Sequence, residues 1–267
     1  MLECCAIIVN YNTGERLRDC IDSLLENSLL EKILIIDNAS SDDSVACIKK
    51  LEEPRIEIIE NDVNLGFARA NNIGLTRYDS RFYLLINPDC VVSDNAVATV
   101  VRALEENTSA GMAGPLIVNS DGTEQRGCRR RLPNPGNSIL RAFGIHRLFS
   151  EETTVNFDLQ GTPLPEDVTQ VEAISGAFML IKREALLQVG LMDEGYFLHC
   201  EDLDWCRRFA DLGWQVIFVP AAKTTHFQGT SSASVPIFVL WHKHKGMWRF
   251  YRKFYAKPHN FIFFFFF

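Results

Sequence analysis

Apolar positions in the first ninety residues fall into short blocks separated by amphipathic stretches. CCAIIVN (4–10), KILIID (32–37), RIEIIE (55–60) and RFYLLIN (81–87) read as buried strands. Between them, Arg16 to Glu26 carries Leu17, Cys20, Ile21, Leu24 and Leu25 at helical spacing. Further helices are expected over about 42–51 and 66–77. Strands alternating with helices of this length predict βαβ units and a mostly parallel sheet.

Each predicted strand ends in polar residues: Asn10-Tyr11-Asn12, Asp37-Asn38, Asn61-Asp62 and Asn87-Pro88-Asp89. In a sheet of this kind all four gather on the carboxyl rim, where ligands bind. Turn and cap preferences of Asn and Asp explain Asn12 and Asn38. They explain a repeat at every strand end less well.

The middle is less regular. GCRRRLPNPGNS (127–138) is a basic, Pro-containing loop, and 150–170 is a second polar excursion. Order returns at 171–190, a strand leading into a helix. A carboxylate cluster, FLHCEDLDWCRR (197–208), then opens an amphipathic helix to Leu212. Gly213 is its expected C-cap, and WQVIFVP (214–220) the next strand.

Composition narrows the picture. The 267 residues are 47% hydrophobic and 23% charged, as a folded domain requires. A net charge of −7 argues against nucleic-acid binding. The eight cysteines contain no CxxC pair and read as buried, reduced thiols, which with the lack of a signal peptide predicts a cytoplasmic protein. Neither GxGxxG nor GxxxxGK[ST] is present, which removes the main support for dinucleotide and P-loop folds. Charge is unevenly placed: no Asp or Glu follows Asp211, and 241–267 interleaves aromatics with Lys and Arg. Trp241, Met247, Trp248, Phe250, Tyr251, Phe254 and Tyr255 predict a broad apolar face for attachment to the inner membrane surface. A C-terminal helix packed on the domain is the competing expectation. The final Phe run is far short of the ~20 residues of a spanning helix.

The ordered set AIIVNYNTGERLRDCIDSLL, ILIIDNASSDDS, NDVNLGFARANNIG, LLINPDCVV, SGAFMLIKREALLQVGLMDEGYFLHCEDLDWCRR and HFQGTSS resembles family 2 inverting glycosyltransferases of the GT-A fold, especially their bacterial rhamnosyltransferase-like branch. The resemblance spans roughly residues 5–232. It implies a GT-A domain over 1–222, with a nucleotide-binding half to about 95 and an acceptor half beyond, followed by a 223–267 tail. It implies transfer of a sugar, L-rhamnose from dTDP-rhamnose being one candidate, from a nucleotide-sugar donor to a saccharide or polyprenyl-linked acceptor in surface polysaccharide synthesis.

The residues carry over as follows. Asp37 matches the nucleotide-base ligand, against helix capping by Asp37, Asn38 and Ser40. Tyr11 and Asn12 match the stretch beside base and ribose. Asn64, Gly66, Phe67 and Asn71 border the nucleotide sugar. Gly66 also has a purely steric reading, and Asn71 and Asn72, poor helix formers, suggest that at least one faces ligand. Asn87-Pro88-Asp89 stands where the family has its DxD metal motif, so Asp89 is the remaining anionic ligand for Mg²⁺ or Mn²⁺, with His226 as a second.

In the acidic cluster, helix-dipole stabilisation of about 0.3–1 kcal/mol accounts for one or two acids, not three. The resemblance makes Asp202 the general base and Glu201 an acceptor-orienting group. Asp204 is expected in an ion pair with Arg207 or Arg208. Crowding should keep one acid unusually basic. Arg126 and Arg129–Arg131 face phosphates or solvent. Two rivals stay open: a sugar nucleotidyltransferase, which lacks its Gly- and Arg-rich loop here, and a non-catalytic carbohydrate-binding scaffold.

Overall fold

The computed structural model describes residues 1–134, 157–227 and 236–256. The N-terminal alternation folds as the periodicity predicts. β1 (Leu2–Asn10), α1 (Arg16–Leu25), β2 (Leu30–Asp37), α2 (Ser44–Lys49), β3 (Ile56–Glu60), α3 (Phe67–Arg77) and β4 (Ser80–Ile86) follow in order. β3, β2, β1 and β4 lie side by side and all pair in parallel. Their carboxyl ends form one rim: Asn10 is in register with Asp37, and Ile8 with Ile86.

Beyond β4 the sheet departs from the expected parallel pattern. β5 (Cys90–Val92), α4 (Ala96–Glu106) and β6 (Ala110–Val118) come next. After β7 (Arg129–Arg130), β8 (Thr169–Val171) and β9 (Ala173–Ile174), β10 (Phe178–Lys182) enters antiparallel between β4 and β6. α5 (Arg183–Val189) and α6 (Glu201–Asp211) follow, then β11 (Gln215–His226). β11 runs parallel to β6 and antiparallel to β5 and β8. The sheet is therefore mixed: wholly parallel from β3 to β4, and beyond β4 antiparallel except for the β6–β11 pair. Because β11 continues to His226, the expected boundary after residue 222 falls inside a strand.

Apolar side chains cover both faces of the sheet, since successive strand residues point opposite ways. Ile8, Ile33, Ile35 and Leu84 pack against α1 and α4. Ile7, Leu34, Ile36 and Leu85 pack in the cluster that includes Trp205 and Phe209 of α6. α7 (Pro236–Tyr255) joins this second layer through the buried Phe250 and Tyr251, with Met247, Phe254 and Tyr255 against them. Most of the expected membrane face is thus occupied by the protein itself, because those aromatics complete the core over α6. Residues 135–138, most of HFQGTSS and the Phe run lie outside the described residues. Among the described residues, no helix is long and apolar enough to cross a membrane.

Candidate active site

A cleft of about 630 Å³ opens at the rim. Its lining brings together Phe67, Asn87, Glu201, Asp202 and His226, with Arg130 and Lys243. Segments distant in sequence therefore converge on one space, with the expected base on its wall.

The acids sit in the first turn of α6. Asp202 Oδ1 accepts the Leu203 N–H at 2.8 Å, satisfying one of the donors a helix start leaves open. Asp202 Oδ2 accepts Arg130 Nη2 at 2.5 Å and the Gly176 N–H at 3.2 Å. Both partners of this ion pair are about one-eighth exposed. Burial raises the proton affinity of Asp202, but the Arg130 guanidinium and its hydrogen bonds outweigh it and hold the carboxyl below its usual range. Glu201 goes the other way. Burial first, and the Asp202 charge second, push it up to about 8. The more basic acid of the pair is therefore Glu201, because Arg130 bonds Asp202. Glu201 Oε2 is buried without a hydrogen-bond partner, and so is Arg130 Nε. Asp204 is fully buried and structural: it meets Arg208 at 2.8 Å, Lys253 at 2.7 Å and the Tyr196 hydroxyl at 3.1 Å.

The loop ahead of α6 is held in an uncommon backbone shape. His199 (φ 68°) and Cys200 (φ 72°) are both left-handed, which costs non-glycine residues of order 1 kcal/mol or more each. Gly246 of α7 presses on this loop, since a Cβ there would lie 2.8 Å from the His199 carbonyl oxygen. Gly66 does the same from α3: at φ 81° its Cβ would meet the Phe197 carbonyl oxygen at 2.6 Å. The steric reading of Gly66 therefore holds. Asn64 supports the turn by accepting the Gly66 N–H at 2.9 Å.

The metal candidates also converge. His226 Nε2 lies 3.0 Å from Asp89 Oδ1 and 3.3 Å from Asn87 Nδ2. Gln125 fixes the ring. Its amide nitrogen donates to the His226 carbonyl and to Asn119 Oδ1, which turns its oxygen to His226 Nδ1 at 2.6 Å. Nδ1 therefore carries hydrogen. Nε2 and the Asp89 carboxylate then face each other at 3.0 Å, a nitrogen and an oxygen donor placed to share a divalent cation. Cys90 Sγ is close enough to join Asp89 and His226. Burial raises its thiol well above the ordinary range and it contacts the Ala177 carbonyl, so the oxygen and imidazole donors are the pair that fits a hard divalent ion.

The remaining rim residues lie outside the cleft lining. Asp37 is buried and accepts from Asn10 Nδ2 (2.8 Å), Ser40 N (3.0 Å) and Ser40 Oγ (2.6 Å). Asn12, at φ 51°, accepts the Ser41 N–H at 2.7 Å, while Tyr11 is 39% exposed beside it. Asn71 donates to the Phe67 carbonyl within α3. Asn72 spans to Met192, accepting its N–H and donating to its carbonyl, each at 3.0 Å. The two helical asparagines thus brace the scaffold. Sequence reasoning passed over Asn10 and Gln125 as partners. The polar strand end was the available signal for the first, and nothing in the local pattern marks the second. Arg130 was noted only as part of a basic loop; its neighbour Arg129 is buried against Glu124 at 2.7 Å.

Comparison with known proteins bears on the family and the fold. The glycosyl transferase family 2 profile matches residues 5–190. The N-acetylglucosaminyl-diphospho-decaprenol L-rhamnosyltransferase of Mycobacterium tuberculosis is 26% identical over 260 residues, covering 91% of this chain and 82% of that protein. The dTDP-rhamnosyl transferase RfbF of Shigella flexneri is 26% identical over 238 residues, covering 86% and 71%. Among solved structures, the mannosyltransferase of Pyrobaculum calidifontis in complex with GDP-Man and Mn²⁺ superposes with a TM-score of 0.64 at 15% identity, over 96% of this chain and 66% of that one. GalNAc-T7 with UDP, GalNAc and Mn²⁺ gives 0.63 at 18%, over 85% and 44%. The fold is GT-A. With the profile covering more than two-thirds of its length, the chain belongs to glycosyl transferase family 2 and is a glycosyltransferase.

Proposed function

We propose that this enzyme transfers a hexose, L-rhamnose from dTDP-rhamnose being the leading candidate, to a saccharide or polyprenyl-linked acceptor in surface polysaccharide synthesis. The rhamnosyltransferase relatives support the sugar and the pathway class. The observation that carries the reaction is the position of Asp202 on the wall of the cleft that also holds Asn87 and His226.

In a single displacement, the acceptor hydroxyl oxygen attacks the anomeric carbon. The carbon–oxygen bond to the diphosphate breaks, and the nucleoside diphosphate leaves with its electron pair. The hydroxyl proton passes to Asp202, the general base. Arg130 keeps that base ionised and aimed. Glu201, protonated at neutral pH, donates a hydrogen bond from its otherwise unpartnered end to an acceptor oxygen. Asp89 and His226 would hold a divalent cation, whose contribution when bound is to neutralise charge on the diphosphate. On the other side of the rim, Tyr11, Asn12, Asp37, Asn64, Gly66, Phe67 and Asn71 shape the nucleotide end, Asp37 doing so through the loop it fixes with Asn10 and Ser40.

Asp202→Asn should abolish transfer while dTDP-rhamnose binding by calorimetry stays nearly intact. Near-normal turnover would remove Asp202 as the base. The raised pKa of Glu201 favours one second reading, in which Glu201 takes the proton. The two part at Glu201→Gln: as a protonated donor its replacement keeps much of the activity at pH 7, whereas as a base it leaves none.

A further inference from the structure

We propose that the first turns of α7 seat the enzyme on an anionic lipid bilayer, so that the cleft opens beside the headgroups. The inference rests on the polyprenyl-linked acceptor reading only for what the surface would deliver. Ile237, Phe238, Leu240 and Trp241 are 84%, 45%, 55% and 66% exposed. Ile237, Leu240 and Trp241 stand at i, i+3 and i+4, one stripe of the helix. Such a cluster of large apolar groups marks an interaction surface. It differs from the aromatic stretch Phe250–Tyr255, which the protein body covers.

The cluster is rigidly mounted. Gly246, Phe250 and Tyr251 fix the later turns of α7, and Phe238 stacks edge-on to Phe197 at 5.7 Å and on His242 at 4.4 Å. Phe197 belongs to the loop that leads into Glu201. Lys243 and Met247, in the two turns after the apolar stripe, line the cleft. From Trp241 to Met247 the helix rises only about 9 Å, so a surface touching the stripe lies within about that distance, along the helix, of side chains that line the cleft.

Charge selects the occupant. Lys243 and Lys245 are exposed just beyond the stripe, and no acidic residue follows Asp211. Basic side chains beside a buried apolar stripe suit anionic headgroups. A second copy of the chain is disfavoured, because a two-fold contact on this stripe would bring the same lysines together.

The test uses the full chain and vesicles containing about one-third phosphatidylglycerol, with pure phosphatidylcholine as the control. Wild-type protein should co-sediment with the anionic vesicles and be released by high salt. The triple variant Ile237→Ser, Leu240→Ser, Trp241→Ser should bind them about tenfold or more weakly, with an unchanged thermal midpoint. Wild type that stays in the supernatant with anionic vesicles overturns the proposal without any variant. Equal sedimentation of wild type and folded variant also overturns it, as does a concentration-dependent dimer on gel filtration that the variant abolishes. Vesicle failure with intact transfer to a water-soluble acceptor sinks only this inference; vesicle binding with no transfer from any nucleotide sugar sinks only the assigned function.

Discussion

Removing Arg130 should shift the pH at which the enzyme switches on. Asp202 must be ionised to accept a proton, and Arg130 at 2.5 Å favours that form. A guanidinium this close lowers a carboxyl by about 1–3 pH units, each unit being about 1.4 kcal/mol. In Arg130→Gln that help is lost while burial and the neighbouring Glu201 remain. The acid limb of the kcat/KM profile should therefore move up by about 1–3 units, and below it the rate should drop about tenfold per pH unit. Stability shifts with the same sign. A depressed carboxyl contributes stability above its unfolded pKa of about 3.9, lost as pH falls through the folded value. Because both side chains are largely buried, breaking the pair should lower unfolding free energy at pH 7 by about 3–5 kcal/mol. Arg130→Lys should recover part of both effects. The assays are a kcat/KM profile from pH 5 to 9 and urea melts at matched pH. A folded Arg130→Gln with an unmoved acid limb would refute the reasoning.

The other outcomes concern the supports of the site. Gln125→Leu should weaken Mn²⁺ binding in the presence of nucleotide by about 10–100-fold, as loss of an outer hydrogen bond to a metal histidine does; calorimetry reads this directly, and unchanged affinity would remove Gln125 from the site. Gly66→Ala should destabilise the fold by at least about 1–2 kcal/mol, since it combines a left-handed backbone with a 2.6 Å approach to the Phe197 oxygen. A urea midpoint equal to wild type would contradict that geometry. Glu201→Gln should flatten the alkaline side of the activity profile near pH 8, where Glu201 ionises; an unaltered profile would show that its protonation is irrelevant to transfer.

How much of this was legible beforehand depended on periodicity. Strands β1 to β4 and their helices repeat apolar blocks at regular spacing, and each was readable. The stretch from Ala96 to Val118 was not. Its helix is rich in β-branched valine (Val97, Val100, Val101), which lowers helix propensity although the helical spacing is kept through Leu104, and its strand carries Gly111, Gly114 and Pro115, which blur the strand signal. Nor does an apolar run such as FMLIK state its direction; β10 turns antiparallel because of its neighbours in space. The acids of α6 were legible because an ordered set of motifs framed them. Their division of labour was not: Arg130 lies in an irregular segment, and only the folded chain brings it to Asp202. The aromatic tail was misjudged in part because helical spacing reveals an apolar face without revealing what covers it.

The ion pairs of α7 have a consequence for how the enzyme matures. Arg249 and Lys253 bind Asp193 at 2.7 and 2.8 Å, and Lys253 also reaches Asp204 at 2.7 Å. These cations come some fifty residues after the acids they balance. During synthesis Asp193 emerges well before the two cations that bind it, whereas Asp204 already has Arg208 one turn along α6. A chain cut before Arg249 would keep every strand of the sheet yet leave Asp193 without the two cations that bind it, so the turn ahead of α6 settles only once α7 has docked.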